Sequence, residues 1–458
     1  MIPPSDIAAL LARYDKRVPR YTSYPSAPHF TPAVGPASSA RWLEALPAEA
    51  PLSLYLHVPF CDRLCLYCGC NTSVVRLESS HRAYVALLMR EIDAVADRID
   101  RRARVSHVHW GGGTPTTLPP DCLIAVMERL RRRFDFAADA EIAIEIDPTS
   151  LPPDRRAALK PMGVTRISLG VQDFEPKVQR AIGREQSYAE TEACADAARA
   201  LGVTSLNLDL LYGLPEQTEA GVERTARRAL ALGADRAASF GYAHVPRMKR
   251  HQALIPEETL PCAVARYAQL AAVHRVLVEE GGYAAIGLDH YALPSDAMAK
   301  GAADRGLRRG FQGYTTDAAP VLIGFGASAI SALPPGYGQN APTAAAYAKA
   351  IEAGGLATVR GAALSSDDRL RRDVIERLMC DLDVDLEAAA ARHGADAAGL
   401  KAAADRGLRP FVADGLASWN GRRIAVSAAG RPFVRSIAAL FDAYLDRAGD
   451  KPRHARAV

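Results

Sequence analysis

Between residues 52 and 245, short strand-like runs alternate with amphipathic helix-like ones, and that alternation leaves few folds open. The runs read as strands are 53–58, 105–110, 141–147, 166–172, 205–211 and 237–244. Repeated strand–helix units build a parallel sheet with right-handed crossovers, either doubly wound or curled into a barrel. The pleat separates these, because neighbouring strand residues face opposite sides. Leu54, Leu56 and Val58 oppose Ser53, Tyr55 and His57, while Ile142, Ile144 and Ile146 oppose Glu145 and Asp147. Ile167, Leu169 and Val171 oppose Arg166, Ser168, Gly170 and Gln172, and Leu206, Leu208 and Leu210 oppose Ser205, Asn207 and Asp209. In the last strand Ser239, Gly241 and Ala243 are expected on the inner face, opposite Phe240, Tyr242 and His244. A sheet covered on both faces reads as continuous apolar runs, and a filled eight-stranded barrel places Val, Ile and Leu inside. The expectation is an α/β barrel whose outside packs on helices and whose inside is a polar cavity. The helices show matching apolar stripes, Val85, Leu88, Ile92, Val95 and Ile99 in one and Leu123, Val126, Met127, Leu130 and Phe134 in the next.

The first strand runs into Cys61-Asp-Arg-Leu-Cys65-Leu-Tyr67-Cys68-Gly-Cys70. Cysteine-only ligation suits soft metals and iron–sulfur clusters. Three thiolates on a four-iron cubane leave one iron open to a small molecule, which permits chemistry beyond electron storage. The spacing resembles the signature of the radical S-adenosylmethionine (SAM) superfamily. In that superfamily the open iron holds SAM by its amino and carboxylate groups, and an electron cleaves it to methionine and a 5′-deoxyadenosyl radical. Two other uses of cysteine fit less well. A structural zinc site pairs two separated ligand couples, and no second couple is present. A disulfide framework does not suit a chain of 458 residues with eight cysteines, four of them scattered. Cys122, Cys194, Cys262 and Cys380 are expected to be small buried apolar residues.

The length exceeds the roughly 250–300 residues at which one core stops growing. Residues 1–50 read as an N-terminal extension and 51–364 as the catalytic barrel with its own extension. A smaller, mostly helical C-terminal domain, 365–458, opens at the capping cluster Ser365-Ser-Asp-Asp368. Expected within these are a helix over 263–280, a strand over 283–288, a helix over 369–379 and a tight hairpin at Asn420-Gly421. A net charge of +4 with acids and bases mixed gives no reason to expect a nucleic-acid partner. No apolar run reaches the 18 or so residues needed for a membrane span. The start Met1-Ile-Pro-Pro-Ser-Asp lacks the layout of a signal peptide, so a cytoplasmic location is expected. With no coiled coil or apolar docking stripe, a monomer is expected.

Three loops follow strand C-termini, where barrel and open-sheet sites are built. The cysteine loop is the first. Gly111-Gly112-Gly113-Thr114-Pro115 is the second, a shelf whose main chain can approach a ligand closely, here the amino group of SAM. The third is Leu211-Tyr212-Gly213-Leu214-Pro215, after an inward Asp209 suited to accepting hydrogen bonds. Glu145 and Asp209 could instead pair across the barrel with Arg166.

Several segments together resemble the oxygen-independent coproporphyrinogen III oxidase family, also called coproporphyrinogen dehydrogenases. They are Arg20-Tyr-Thr-Ser-Tyr-Pro25, His57-Val-Pro-Phe-Cys61, Cys68-Gly-Cys70-Asn71, His109-Trp-Gly-Gly-Gly-Thr-Pro115, Gly170-Val-Gln-Asp-Phe174 and Phe311-Gln-Gly-Tyr-Thr-Thr316. The resemblance implies a partial (β/α)6 barrel holding a [4Fe-4S] cluster and two SAM molecules. It makes Cys61, Cys65 and Cys68 the cluster ligands. Tyr55, Gly112, Glu145 and Ile330 match positions contacting the first SAM. Tyr67, Gly113, Thr114, Gln172, Arg184, Asp209 and Ala243 match positions contacting the second. Family members often carry Phe at the position of Tyr67. The implied reaction converts two propionates of coproporphyrinogen III to vinyl groups, giving protoporphyrinogen IX in haem biosynthesis, with an electron donor and an electron acceptor as partners. Four substrate carboxylates call for cationic anchors, the candidates being Arg20, Arg305, Arg308 and Arg309. Cys70 and His290 beside Asp289 are further candidates near substrate. A related haem chaperone, which lacks the Arg20–Pro25 segment and the fourth cysteine, is the alternative from another class; another radical SAM tetrapyrrole enzyme is a second.

Overall fold

The computed structural model describes residues 4–48, 50–99, 104–445 and 456; the remaining positions assigned above to the terminal segments lie outside these. Six parallel strands form the expected partial barrel: β1 (Leu52–Val58), β2 (Arg104–Gly112), β3 (Asp135–Ile146), β4 (Arg166–Gln172), β5 (Ser205–Tyr212) and β6 (Arg236–Gly241). The sheet continues beyond them with β7 (Ala284–Ile286), β8 (His290–Ala292), β9 (Val321–Phe325), β10 (Ile330–Leu333), β11 (Gly336–Asn340) and β12 (Thr358–Ala363). Its order is β12-β11-β10-β9-β1-β2-β3-β4-β5-β6-β8-β7, twelve strands whose two ends do not pair. β9 lies parallel to β1, while β8 and β10 to β12 run antiparallel to their neighbours. The six barrel strands and one over 283–288 were expected, but β8 to β12 were not. The additional ones are short, and their sequences lack the long alternation that marks β1, β4 and β5.

The apolar faces behave as the pleat predicts. Leu54, Leu56, Ile144, Leu169 and Leu208 are buried in one core with Val85, Leu88, Ile92, Leu123 and Met127 from the helices Glu78–Ala96 and Pro120–Arg133. Burying a side chain of this size contributes roughly 1.5–3 kcal/mol, so one phase of each strand is strongly favoured over its one-residue slip. Ile99 and Phe134 lie just past their helix ends.

β6 departs from the expectation. It ends at Gly241, three residues short of the predicted run, and its phase is reversed. Its register aligns Arg236 with Asn207 and Ala238 with Asp209, so Arg236, Ala238 and Phe240 share the cavity face. Ala237 packs outward against Val222, Ala226 and Val273. The run Arg236-Ala-Ala-Ser has no apolar contrast between its faces. A buried ion pair from Arg236 to Asp296, 2.8 Å long, decides which way it turns. Ala243 therefore lies beyond the strand, in the loop that returns over the cavity.

The C-terminal region is mostly helical, with a three-stranded sheet, and its first helix, Ser366–Asp381, carries a capping box between Ser365 and Asp368. The hairpin at Asn420-Gly421 is present, with Gly421 at φ 83°. The region's core is shared with the N-terminal segment. Ile7, Leu11, Tyr14, Val18, Tyr21 and Tyr24 pack among Val374, Leu378, Phe411, Phe433 and Phe441. The helix over 263–280 continues past His274 as a π-helical turn, and the strand over 283–288 is shortened to β7. Cys122, Cys194 and Cys380 are buried as expected, but Cys262 is exposed at the start of the helix Ala263–His274. No helix among the described residues is long and apolar enough to cross a membrane.

Candidate active site

The cysteine loop and the glycine loop are stitched together at the C-terminal ends of β1 and β2. Gly113 N–H donates to Val58 O at 2.8 Å and Thr114 N–H to Phe60 O at 2.7 Å. Gly112 N–H donates to a Glu145 carboxylate oxygen at 3.2 Å. With those amides committed, the loop can offer a ligand carbonyl oxygens, which suit an ammonium group. Gly112 has φ 112°, and a Cβ there would lie 2.6 Å from the His57 ring. One on Gly113 would lie 3.0 Å from Cys61 Sγ.

Each sulfur of the triad has its own donor. Cys61 Sγ lies 3.1 Å from Thr72 Oγ1 and accepts from Thr114 Oγ1 at 3.6 Å. Cys65 Sγ accepts from Arg184 Nη1 at 3.7 Å and Cys68 Sγ from Cys70 N–H at 3.4 Å. Burial pushes the Cys61 thiol up, partly offset by Thr72 and Thr114. The Cys68 thiol is held below its ordinary range, first by the Cys70 thiol. Among the described residues no three candidate ligands converge as those of a single ion would. A cubane gives each thiolate its own corner iron, so it fits thiols spread along one loop, and donors aimed at sulfur are the means by which proteins tune such clusters.

Side chains from the segment after β6 hold the loop's carbonyls in place. Gln252 Nε2 donates to Tyr67 O at 2.8 Å, His251 Nε2 lies 2.7 Å from Cys68 O, and Lys249 Nζ donates to Cys70 O at 2.7 Å. On the other side His57 Nε2 faces Asn71 O at 3.0 Å, which places its proton there and leaves Nδ1 to accept from Tyr55 Oη at 3.0 Å. None of these clamping roles was visible in the sequence, where the run Lys249-Arg-His-Gln252 was the one available signal.

The loop opens on a chamber of about 400 Å³. Cys61, Cys65, Cys68, Gly112, Gly113 and Thr114 line one side of it. Tyr67, Glu145, Gln172, Arg184, Asp209 and Ala243 line the rest, with Arg20 and Cys70 at its junction with a second chamber of about 410 Å³. Glu145, Ser168, Asp209 and Phe240 line both. His290 lines the second, its Nδ1 2.8 Å from Asp289 and its ring edge-on to Phe240 and Tyr314. Two of the positions matched to SAM contacts stay outside both linings. Tyr55 lies behind the glycine shelf, against His57 and His109. Ile330 sits on β10 with its backbone against Gly324 and its side chain beside the cluster formed by Phe30, Tyr337 and Leu364.

The inner carboxylates are in contrasting states. Burial works against the charge on Glu145, but His109 Nε2 at 3.1 Å, the Gly112 amide and His57 outweigh it, and its pKa lies below the ordinary value. Burial raises that of Asp209, which accepts only from neutral groups, Ser168 Oγ at 2.8 Å and Asn207 Nδ2 at 2.9 Å. Neither pairs with Arg166, which instead binds Glu141 at 2.8 Å. Arg184 is fixed by Asp147 at 3.0 Å and Gly170 O at 2.7 Å. Gln172, at a register shift in β4, turns into the chamber with φ 66°. Of the four arginines considered as anchors, Arg20 and Arg309 line the second chamber. Arg305 pairs with Asp383 at 2.8 Å and Arg308 with Glu376 at 3.1 Å.

Comparison with known proteins agrees with this geometry. The Radical SAM superfamily model matches residues 55–229 and the HemN C-terminal domain model residues 364–433. An oxygen-independent coproporphyrinogen III oxidase of Bradyrhizobium diazoefficiens is 50% identical over 444 residues, spanning 97% of this chain and 98% of its own length. One of Paracoccus denitrificans is 44% identical over 436 residues, spanning 95% and 96%. Among solved structures, coproporphyrinogen III oxidase (HemN) from Escherichia coli, described as a radical SAM enzyme, matches with a TM-score of 0.89 at 38% identity. That match covers 96% of this chain and 99% of the other.

Proposed function

The chain belongs to the oxygen-independent coproporphyrinogen III oxidases, a family of radical SAM enzymes, and from that premise we infer that its chambers carry out the oxidative decarboxylation of coproporphyrinogen III to protoporphyrinogen IX. When bound, the cluster and SAM supply a 5′-deoxyadenosyl radical that removes a β-hydrogen from a propionate, which then loses carbon dioxide and one electron to leave a vinyl group.

The protein's own residues bind, orient and exclude water around that chemistry. Cys61, Cys65 and Cys68 would hold the cluster, with Thr72, Thr114, Arg184 and the Cys70 amide stabilising the thiolates. The Gly112 shelf and the charged Glu145 suit the amino group of a first SAM, with Tyr55 behind them and Ile330 assigned by resemblance alone. Tyr67 offers an aromatic plane to a second SAM, with Gln172, Arg184, Asp209, Ala243, Gly113 and Thr114 around it. Arg20 and Cys70 line the junction and His290 the second chamber, which supports reading them as the groups that meet the tetrapyrrole. An electron donor, an electron acceptor, a monomeric state and the cytoplasm complete the reading, as do an N-terminal extension over 1–50, a barrel over 51–364 and a C-terminal domain over 365–458.

The observation that carries it is the thiol triad, each sulfur with its own donor, opening on a chamber that shares its polar lining with a second. The test is a strictly anaerobic product assay on reconstituted protein with SAM, a reductant, coproporphyrinogen III and an acceptor. Protoporphyrinogen IX matched by 5′-deoxyadenosine is the expected result. SAM cleavage without decarboxylation, or tight haem binding with no product, would overturn it.

A further inference from the structure

At the ends of β5 and β6 a guanidinium passes between two glycines. Arg266, on the helix Ala263–His274, lies 5.6 Å over the Tyr212 ring. A Cβ on Gly213 would come within 2.7 Å of Arg266 Cζ, and one on Gly241 within 3.0 Å of Arg266 Nη2 and 2.9 Å of Tyr212 Oη. Both positions must therefore be glycine for the side chain to reach where it does. Its backbone contact, to Gly213 O, is long at 3.5 Å. Among the described residues no carboxylate forms an ion pair with it.

The guanidinium faces a recess of about 210 Å³. The recess shares Arg20, Gly241, Tyr242 and Ala243 with the cluster chamber. Arg20 Nη2 donates to Gly241 O at 2.8 Å, so two guanidinium groups flank the same glycine. Arg435 also lines the recess, but its donors serve Val18 O, Pro19 O and Arg456 O. Among the described residues the one acid in the lining, Asp289, is engaged by His290 at 2.8 Å. Charge held in a semi-enclosed site calls for a partner, and an arginine fork presented between small residues matches a planar carboxylate.

We propose that Arg266, together with Arg20, forms a carboxylate-binding recess that anchors a ligand lying in the cluster chamber. The identity of the ligand rests on the function proposed above, whose reaction brings two sources of carboxylate: the propionates of the tetrapyrrole and the methionyl end of SAM. A tetrapyrrole anchored here keeps one propionate in the recess while another lies in the chamber.

The holoenzyme tests this through Arg266→Gln, Arg266→Lys and Gly241→Ala, the last of which displaces the guanidinium while keeping its charge. Binding of coproporphyrin III, a stable tetracarboxylate, is followed by fluorescence, and KM is measured for coproporphyrinogen III and for SAM. Losing a charge-assisted pair should weaken tetrapyrrole binding by about 10- to 100-fold in Arg266→Gln. Arg266→Lys should recover part of the loss as a point charge without the fork, and Gly241→Ala should show a smaller loss of the same kind. If the KM for SAM rises instead, with coproporphyrin binding unchanged, the recess holds the methionyl carboxylate. If neither ligand is affected in variants with wild-type iron content, the recess binds no carboxylate and the proposal is wrong. Arg266-dependent coproporphyrin binding in a wild-type enzyme that makes no protoporphyrinogen would refute the proposed reaction and leave the recess standing.

Discussion

Replacing Gly113 by alanine asks whether the glycine loop acts as the spacer that shapes the cysteine loop. A Cβ there would sit 2.6 Å from Thr72 Oγ1, 3.0 Å from Cys61 Sγ and closer still to the Phe60 carbonyl oxygen. Real Cβ atoms essentially never come within 3.0 Å of a neighbour, so something must move. Because one obstacle is main chain, rotating a side chain cannot relieve the clash. The Phe60 carbonyl must retreat from Thr114 N–H, which it accepts at 2.7 Å. Losing that bond costs about 1 kcal/mol and the overpacking about 1–3 kcal/mol more, so about 2–4 kcal/mol falls on the local order of the cysteine loop. That corresponds to a roughly 30- to 1,000-fold shift toward a displaced loop. After anaerobic reconstitution, Gly113→Ala should retain its fold by circular dichroism, hold far less iron and sulfide than wild type, and release no 5′-deoxyadenosine. Gly69→Ala is the matched control, because a Cβ between Cys68 and Cys70 meets nothing within 4 Å. Its iron content should equal that of wild type. Full iron in Gly113→Ala, or equal loss in both variants, refutes the reasoning.

Cys61→Ser removes one of the three thiolates and should abolish cluster-dependent SAM cleavage; retained 5′-deoxyadenosine release from the reconstituted variant would remove Cys61 from the ligand set. Glu91 accepts from Gly326 N–H, Asn340 Nδ2 and Tyr347 Oη, each at 2.7 Å, yet burial pushes its pKa from 4.5 up to about 7. Between those values the native state holds a proton that the unfolded chain has released, so stability falls as pH rises through the window, by about 3 kcal/mol in total. Urea midpoints of wild type should therefore drop from pH 5 to 7.5 relative to those of Glu91→Gln, and parallel profiles would count against the buried acid. Arg435→Met strips donors from the carbonyls of Val18, Pro19 and Arg456, at about 1–3 kcal/mol. Limited proteolysis within 14–24 should accelerate, and an unchanged rate would show that the apolar contacts alone hold the segment.

Much of the barrel was legible because its signals are local. Strict alternation in β1, β4 and β5 forces one face onto the helices, and Ser53, Arg166, Ser168, Gln172, Asn207 and Asp209 on the other face line the chambers. The phase of β6 was not legible, since small residues on both faces leave the choice to Arg236 and its distant partner Asp296. Nor could the candidate anchoring arginines be sorted, because Arg305 and Arg308 pair with acids some seventy residues away, while among the described residues Arg20 and Arg309 form no ion pair. The role of 249–252 in clamping the cysteine loop was likewise hidden, because it rests on side chains reaching backbone carbonyls 179 to 185 residues earlier.

By itself the sequence determined the ligand chemistry and the inner face of β1, β3, β4 and β5. Three thiols at fixed spacing are a chemical fact wherever they fold, and a period of two turns hydropathy into geometry without knowledge of the rest of the chain. Only the tertiary structure decided what surrounds them. It put a donor on each sulfur, threaded Arg266 between Gly213 and Gly241, and drew the N-terminal segment carrying Arg20 into the core of the C-terminal domain. Those outcomes depend on which distant residues share a volume, and hydrogen bonds and close contacts leave no periodic trace in the sequence that makes them.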